Sequence, residues 1–334
     1  MSQRLKKIFA LVLAFALTGC GGEDDGQQKY PYALGTSSTE DTVTHIYAQS
    51  FVDEVTRLSD GRIKIQVYPN SVLGGDRELL ESCADGDIPF IVQNTAPQVS
   101  FMSEMAVFDI PFVFQDIQTL RQTVDDTAFY SKIQGIYESY NYKLLGFADE
   151  GFRNMTSNHK IDTLSDFSGM KIRIMENINH IAFWKAIGTN PTPMAFSEVY
   201  IGLQQKTIDA MEGTYEVIYS AKIHEQQNYI IETNHLPHLI SFVVNQEFFE
   251  AFPPEDQALL LEAAENAKAI AREAADYRSD EKKVLIEEIG TQVLPLPAEV
   301  LEEVKAQVAP VQDSIRKQAG DDLVDLYLQY TQSE

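Results

Sequence analysis

Apolar positions along the chain recur with two periods, about 3.6 residues and 2 residues, and divide it into helices and short strands. A first strand reads over 32–36, followed by the polar loop Thr36-Ser37-Ser38-Thr39. A helix reads over 43–58, with Ile46, Phe51, Val55 and Leu58 on one face. Ile63, Ile65 and Val67 alternate with Lys64 and Gln66, which predicts a half-exposed strand. The loop Leu73-Gly74-Gly75-Asp76 opens a helix over 77–84. Such a loop can cradle an anion, although a tight turn is its plainer reading. Residues 89–93 read as a buried strand running into Gln93-Asn94-Thr95. An apolar aromatic stretch over 107–114 is broken by Pro111, and 119–140 is mostly helical. A strand over 143–147 leads to Gly151-Phe152-Arg153-Asn154.

The run Lys171-Ile172-Arg173-Ile174-Met175-Glu176-Asn177 reads as a buried strand entering a helix start. A helix over 178–187 carries the single tryptophan, Trp184, and Gly188 suits its C′ position. Asn190-Pro191-Thr192-Pro193 predicts a loop, and Ser197 an N-cap for a helix over 198–205. Strands read over 207–211 and 241–244. From Pro254 neither proline nor glycine interrupts the chain until Gly290. A helix of that length, about 54 Å, outruns one domain, so it spans two lobes or kinks near Ser279-Asp280. Two more helices read over 298–306 and 309–329. Strands alternating with helices indicate an α/β fold.

Composition narrows this picture. A chain of 334 residues has room for two domains. Its net charge of −24 argues against nucleic-acid binding. Arg4, Lys6 and Lys7 precede a short apolar run at 8–17 and then Leu17-Thr18-Gly19-Cys20. That reads as a secretory signal over 1–19 ending in a lipobox, with Cys20 as the expected lipidation site and 20–29 as a polar tether; the alternative is an ordinary secretory signal that happens to contain a cysteine. Cys83 is then the remaining thiol, so no internal disulfide is expected. No metal-type Cys/His spacing and no nucleotide motif is present, so neither metal nor cofactor is expected. The six histidines are scattered and read as surface or core. The closest pair, His235 and His238, is split by Pro237 and reads as loop.

Several polar clusters stand at strand ends: Ser37-Ser38, Gly75-Asp76, Gln93-Asn94, Arg153 and Arg173. In open α/β sheets, ligands bind at the carboxyl ends of strands. Arginine pairs with a carboxylate as a two-pronged fork, so this set suits a small anionic, hydroxylated solute. An arginine inside an apolar run needs a partner. That partner is either one of the abundant internal carboxylates or a carboxylate from outside, and spacing alone does not choose.

Some blocks recur in a known order: Gly61-Arg62-Ile63-Lys64-Ile65, Val67-Tyr68-Pro69-Asn70-Ser71 with Leu73-Gly74, and Gly151-Phe152-Arg153-Asn154. They continue with 171–177, Asn190-Pro191-Thr192-Pro193-Met194-Ala195-Phe196, and Pro253-Pro254-Glu255-Asp256. From about Leu34 to Tyr330 the chain resembles the DctP-type solute-binding proteins of TRAP (tripartite ATP-independent periplasmic) transporters. The resemblance implies a two-lobed α/β fold with a cleft between lobes and a long helix crossing both. Lobe I would comprise 30–150 plus about 239–278, and lobe II 151–238 plus about 279–334. It implies a protein that performs no covalent chemistry and delivers an organic acid to small and large integral membrane subunits driven by an ion gradient; the expected lipid on Cys20 would hold it at the extracytoplasmic membrane face. The solute would be a uronate, a dicarboxylate or similar. The resemblance places the carboxylate anchor on Arg173, a second arginine on Arg153 and an aromatic on Phe196. First-lobe contacts fall near Ser37, Ser38, Asp76, Gln93 and Asn94, and a polar contact on Glu176. Many members carry an asparagine where this chain has Gly213, so Glu212 or Tyr215 is a candidate replacement. The alternatives are an extracytoplasmic hydrolase of sugar acids using two carboxylates, and a lipoprotein that scaffolds a partner.

Overall fold

Eleven strands among the described residues close into two sheets. The protein's structure, a computed structural model, describes residues 28 and 30–331. Cys20 and nearly all of the expected signal and tether lie outside them. Contacts separate 1–30 from 31–334, and the architecture here is that of the second unit. Its strands are β1 (Tyr32–Gly35), β2 (Ile65–Tyr68), β3 (Phe90–Asn94), β4 (Tyr142–Phe152), β5 (Asn154–Ser157), β6 (Lys171–Ile174), β7 (Asn190–Pro193), β8 (Ala210–Gly213), β9 (Tyr229–Glu232), β10 (Pro237–Asn245) and β11 (Gln292–Pro295). The first sheet runs β2-β1-β3-β10-β4, and the second β11-β9-β5-β8-β6-β7. The helices are α1 (Val43–Leu58), α2 (Asp76–Ala84), α3 (Ile117–Asp125), α4 (Thr127–Ser139), α5 (Ile178–Ala186), α6 (Val199–Gln204), α7 (Tyr215–Ser220), α8 (Gln246–Glu250), α9 (Pro254–Ile289), α10 (Ala298–Ala319) and α11 (Asp321–Leu328).

The chain passes between the sheets at three places. It leaves β4 and enters β5 at Arg153, and it returns from β9 to β10 through 233–236. These two passages are tied together, because the Arg153 amide donates to the Leu236 carbonyl at 2.8 Å. The third passage is α9, an unbroken helix of 36 residues. Its buried stripe of Leu260, Ala264, Ala267, Ala271 and Ala274 packs on α1 and β4, and its later turns meet α7 and β11. The helix does not break at Ser279-Asp280. Helix α10 packs on the 3-10 turn Ser103–Asp109 and on α5, whereas α11 packs on α3 and α4. No helix among the described residues is long and apolar enough to cross a membrane.

Local chemistry explains most boundaries. Thr42 caps α1 by accepting from the His45 amide, and Asn177 caps α5 by accepting from Asn179 and His180. Gly188 has φ 92°, the left-handed C′ residue expected there. The helix expected over 119–140 is two helices, because the Asp126 carboxylate accepts from Ala128 and Phe129 and starts a new one.

Four expectations are corrected. Asn190–Pro193, expected as a loop, is the edge strand β7, parallel to β6. The amides of Asn190 and Met194 donate to Met170 and Ile174, so the alternate residues Pro191 and Pro193 place their missing N–H groups on the open edge. The strand expected over 241–244 starts at Pro237, so His238 is a strand residue and not part of a loop. Ser197 gives no side-chain cap, since a 3-10 turn over Phe196–Glu198 leads into α6. The last two helices part at Gly320 (φ 90°), with Pro310 inside α10, and not near residue 307.

Candidate functional site

Arg153, at the first passage, is 3% exposed. Its Nε and Nη2 donate to the two carboxylate oxygens of Glu212 at 2.5 and 2.8 Å, and Nη2 also donates to the Glu212 carbonyl at 3.0 Å. Its Nη1 lies 2.6 Å from His238 Nδ1. Because a guanidinium can only donate, that nitrogen accepts and the imidazole is neutral. Burial and the Arg153 charge both push the His238 pKa well below its ordinary value, in keeping with this. Glu212 is fully buried on β8. Burial would raise its pKa, but the Arg153 charge and hydrogen bonds from His235 and Arg153 hold it well below the usual carboxylate range. Arg153 therefore has its carboxylate inside the protein.

Arg173 does not. It sits on β6 between buried Ile172 and Ile174 and is likewise 3% exposed. Its Nε and Nη2 donate to the Met194 carbonyl at 2.9 and 2.7 Å, and the Phe196 ring lies 5.8 Å from the guanidinium carbon. Among the described residues no carboxylate comes within ion-pair distance of it. Burial lowers its pKa to about 10, so it stays charged at neutral pH. One edge of the guanidinium is spent on Met194, and the Nη1–Nη2 edge remains.

Both arginines line one cavity of about 530 Å3, its mouth included. The other anticipated residues on its wall are Ser37, Ser38, Asp76, Asn94, Phe196 and Glu212. Asp76 is the half-buried first residue of α2, and its Oδ1 accepts from the Ser37 hydroxyl at 2.6 Å. Burial raises its pKa against the opposing pull of Ser37 and Arg173. Asn94 spends its amide on backbone, donating to Leu239 O at 3.1 Å and accepting from Ala96 N at 2.8 Å.

Four anticipated residues lie off the wall. Gln93 alternates with Asn94 along β3, so it faces away. It is buried, and neither atom of its amide has a partner among the described residues. The Glu176 side chain is exposed, and its carbonyl accepts from Ser100. The Tyr215 hydroxyl donates to Glu232 at 2.7 Å, and its ring lies under Lys283. Gly213 is buried on β8, where a Cβ would meet Met211 Cε at 3.0 Å and Val217 Cγ1 at 3.6 Å. Met211 and Val217 both line the cavity, so a side chain at 213 would push between them. Neither Glu212 nor Tyr215 replaces an asparagine there: the first is held by Arg153, the second by Glu232.

The wall also contains Thr39, Thr42, Met175, Met211, Val217 and His238, which the sequence did not single out. Thr39 continues the Ser37-Ser38 run, and that was the available signal. His238 had none, because its role follows from strand pairing across the sheet.

Residues 34–318 match the family described as bacterial extracellular solute-binding protein, family 7 (DctP). The 2,3-diketo-L-gulonate-binding periplasmic protein YiaO of Escherichia coli is 29% identical over 270 residues, covering 80% of this chain and 81% of its own. The sugar acid binding protein DctPAm of Advenella mimigardefordensis, solved with galactonate, superposes with a TM-score of 0.87 at 28% identity, covering 91% of this chain and 98% of its own. A TRAP periplasmic solute binding protein of Polaromonas, solved with D-erythronate, superposes with a TM-score of 0.85 at 28% identity, covering 92% and 100%. With the two-sheet architecture, the cleft arginines and this family match over most of its length, the chain belongs to family 7 of the bacterial extracellular solute-binding proteins, the DctP-type receptors of TRAP transporters.

Proposed function

We propose that the cavity captures a small organic acid by its carboxylate and delivers it to the small and large integral membrane subunits of a TRAP transporter. The observation that carries this reading is Arg173, a buried cation with no carboxylate of its own and one guanidinium edge left over. A carboxylate accepts two parallel hydrogen bonds on such an edge, and Phe196 packs beside it. Arg153 acts one step back. Locked to Glu212, it has its charge met inside the protein and holds that part of the cavity wall in place. Three of the similar proteins bind galactonate, D-erythronate and 2,3-diketo-L-gulonate, each a hydroxylated or keto acid with a carboxylate. We take the lobes as 30–150 with about 239–278 and 151–238 with about 279–334, closing on the solute about the passages at Arg153 and 233–236.

Binding without covalent chemistry fits the carboxylates present. A two-carboxylate hydrolase needs an acid and a nucleophile or base. Of the two carboxylates on this wall, Glu212 is committed to Arg153, which leaves Asp76 alone. We also propose that Cys20 is lipidated and holds the protein at the extracytoplasmic face. Support comes from the basic, apolar and Leu17-Thr18-Gly19-Cys20 segments in series. Fatty-acid labelling in the native host that persists in Cys20→Ser would overturn it.

A thermal-shift screen over organic acids tests the main reading, since a ligand at a hundred times its Kd adds about 2.7 kcal/mol. A stabilising acid should be found, and its effect should vanish in Arg173→Met. Undiminished calorimetric affinity in that variant would remove Arg173 from the anchor role.

A further inference from the structure

We propose that Asp76 sets the ligand class of this site: it admits acids with one carboxylate and a hydroxylated chain, and it excludes a second carboxylate. The inference rests on Arg173 being the carboxylate anchor proposed above. Charge is the first argument. The ionised side chains on the wall are two guanidiniums and the carboxylates of Asp76 and Glu212, and they cancel before any solute arrives. One incoming carboxylate is met by Arg173. A second would find no free cation, because Arg153 is committed to Glu212. It would face Asp76 instead.

Hydrogen-bond polarity is the second argument. The Ser37 hydroxyl spends its proton on Asp76 Oδ1, and the Thr42 hydroxyl spends its own on the Thr39 carbonyl. Ser37 is thereby left an acceptor beside the second oxygen of Asp76, whereas the Thr42 oxygen also accepts from the His45 amide as the α1 cap. At Ser37 and Asp76 this wall offers acceptors, which favour donors at the far end of the solute, and the Ser38 and Thr39 hydroxyls beside them can take either role. A second carboxylate brings none, whereas sugar hydroxyls bring several. Acceptors on two separate segments, 37–42 and the start of α2, suit a row of hydroxyls better than a single ammonium centre.

The test pairs aldonates of four to six carbons with the aldarates of equal length, which differ in carrying a carboxylate at both ends. Calorimetry on the wild type should find an aldonate bound at least about tenfold more tightly than its aldarate. Aldarate binding, where measurable, should strengthen as pH falls, because the second acid must enter protonated. Asp76→Asn should bring the two affinities together or reverse them. Equal wild-type affinities would overturn the proposal, and they need no variant. An unchanged ratio in an Asp76→Asn protein that melts like the wild type would overturn it too, as would tighter binding of an amino acid of similar length. If no acid binds and Arg173→Met changes nothing, the anchor reading itself fails and takes this one with it.

Discussion

Replacing Arg173 by methionine should separate binding from stability. In the ligand-free protein burial lowers the Arg173 pKa from its ordinary value to about 10, equivalent to about 3 kcal/mol against the charged form. The charge-assisted bonds that Nε and Nη2 make to the one Met194 carbonyl oppose this by about 1.5–3 kcal/mol. The two contributions nearly cancel, so Arg173→Met should unfold within about 1 kcal/mol of the wild type. Arg153→Met is the contrast. It strands the fully buried Glu212 without its cation, a loss of about 3–5 kcal/mol. For binding, Arg173→Met should cost about 2–5 kcal/mol, or thirty-fold to several thousand-fold in Kd. Urea unfolding can be followed through Trp184, the single tryptophan, 1% exposed and packed against Phe183 and His235. Calorimetry gives the affinity. If Arg173→Met destabilises as much as Arg153→Met, then Arg173 has a partner inside the protein and the division of roles is wrong.

The other expectations concern pH and the cavity floor. Burial beside Glu150 pushes the Glu216 carboxyl up to about 7 against the pull of Arg278. A raised folded pKa favours the protonated folded state, so this contribution is lost as pH climbs from about 4.5 to 7, by at most about 3 kcal/mol. Urea midpoints should therefore fall between pH 5 and pH 8, and Glu216→Gln should flatten that slope. Glu212, held low, has the opposite sign: its stabilisation is present above about pH 4.5 and is lost on acidification, so Glu212→Gln should blunt acid unfolding below that pH. Gly213→Asn should fold, because the flexible Met211 side chain can give way, and should shift preference in a thermal-shift panel toward shorter acids. Unchanged preference would show that position 213 does not bound the ligand.

Most elements were legible because their periods are local. The 43–58 helix and the 36-residue helix α9 match their sequence patterns, and Gly188 stops α5 as a left-handed residue must. Asn190–Pro193 was not legible as a strand, because proline's penalty in a sheet depends on whether the edge is covered, and that is decided by strand order. His235 and His238 looked like loop histidines, yet both are buried beside the Arg153–Glu212 pair. Nothing near them in the sequence marks that.

By itself the sequence determined the α/β class, the long lobe-crossing helix, the resemblance to carboxylate receptors and the two arginines worth attention. It left open whether each arginine had an internal partner, and only tertiary structure decided. Glu212 lies 59 residues beyond Arg153, and the antiparallel pairing of β5 with β8 brings them together. Arg173 pairs in register with Thr192 and Met211 and donates to the Met194 carbonyl just past β7, while Glu212, the residue after Met211 on β8, is held by Arg153. Electrostatic pairing depends on distance in space, and strand order sets that distance while spacing along the chain does not. Two arginines twenty residues apart thus differ: one is paired with a carboxylate inside the fold, and the other meets none among the described residues.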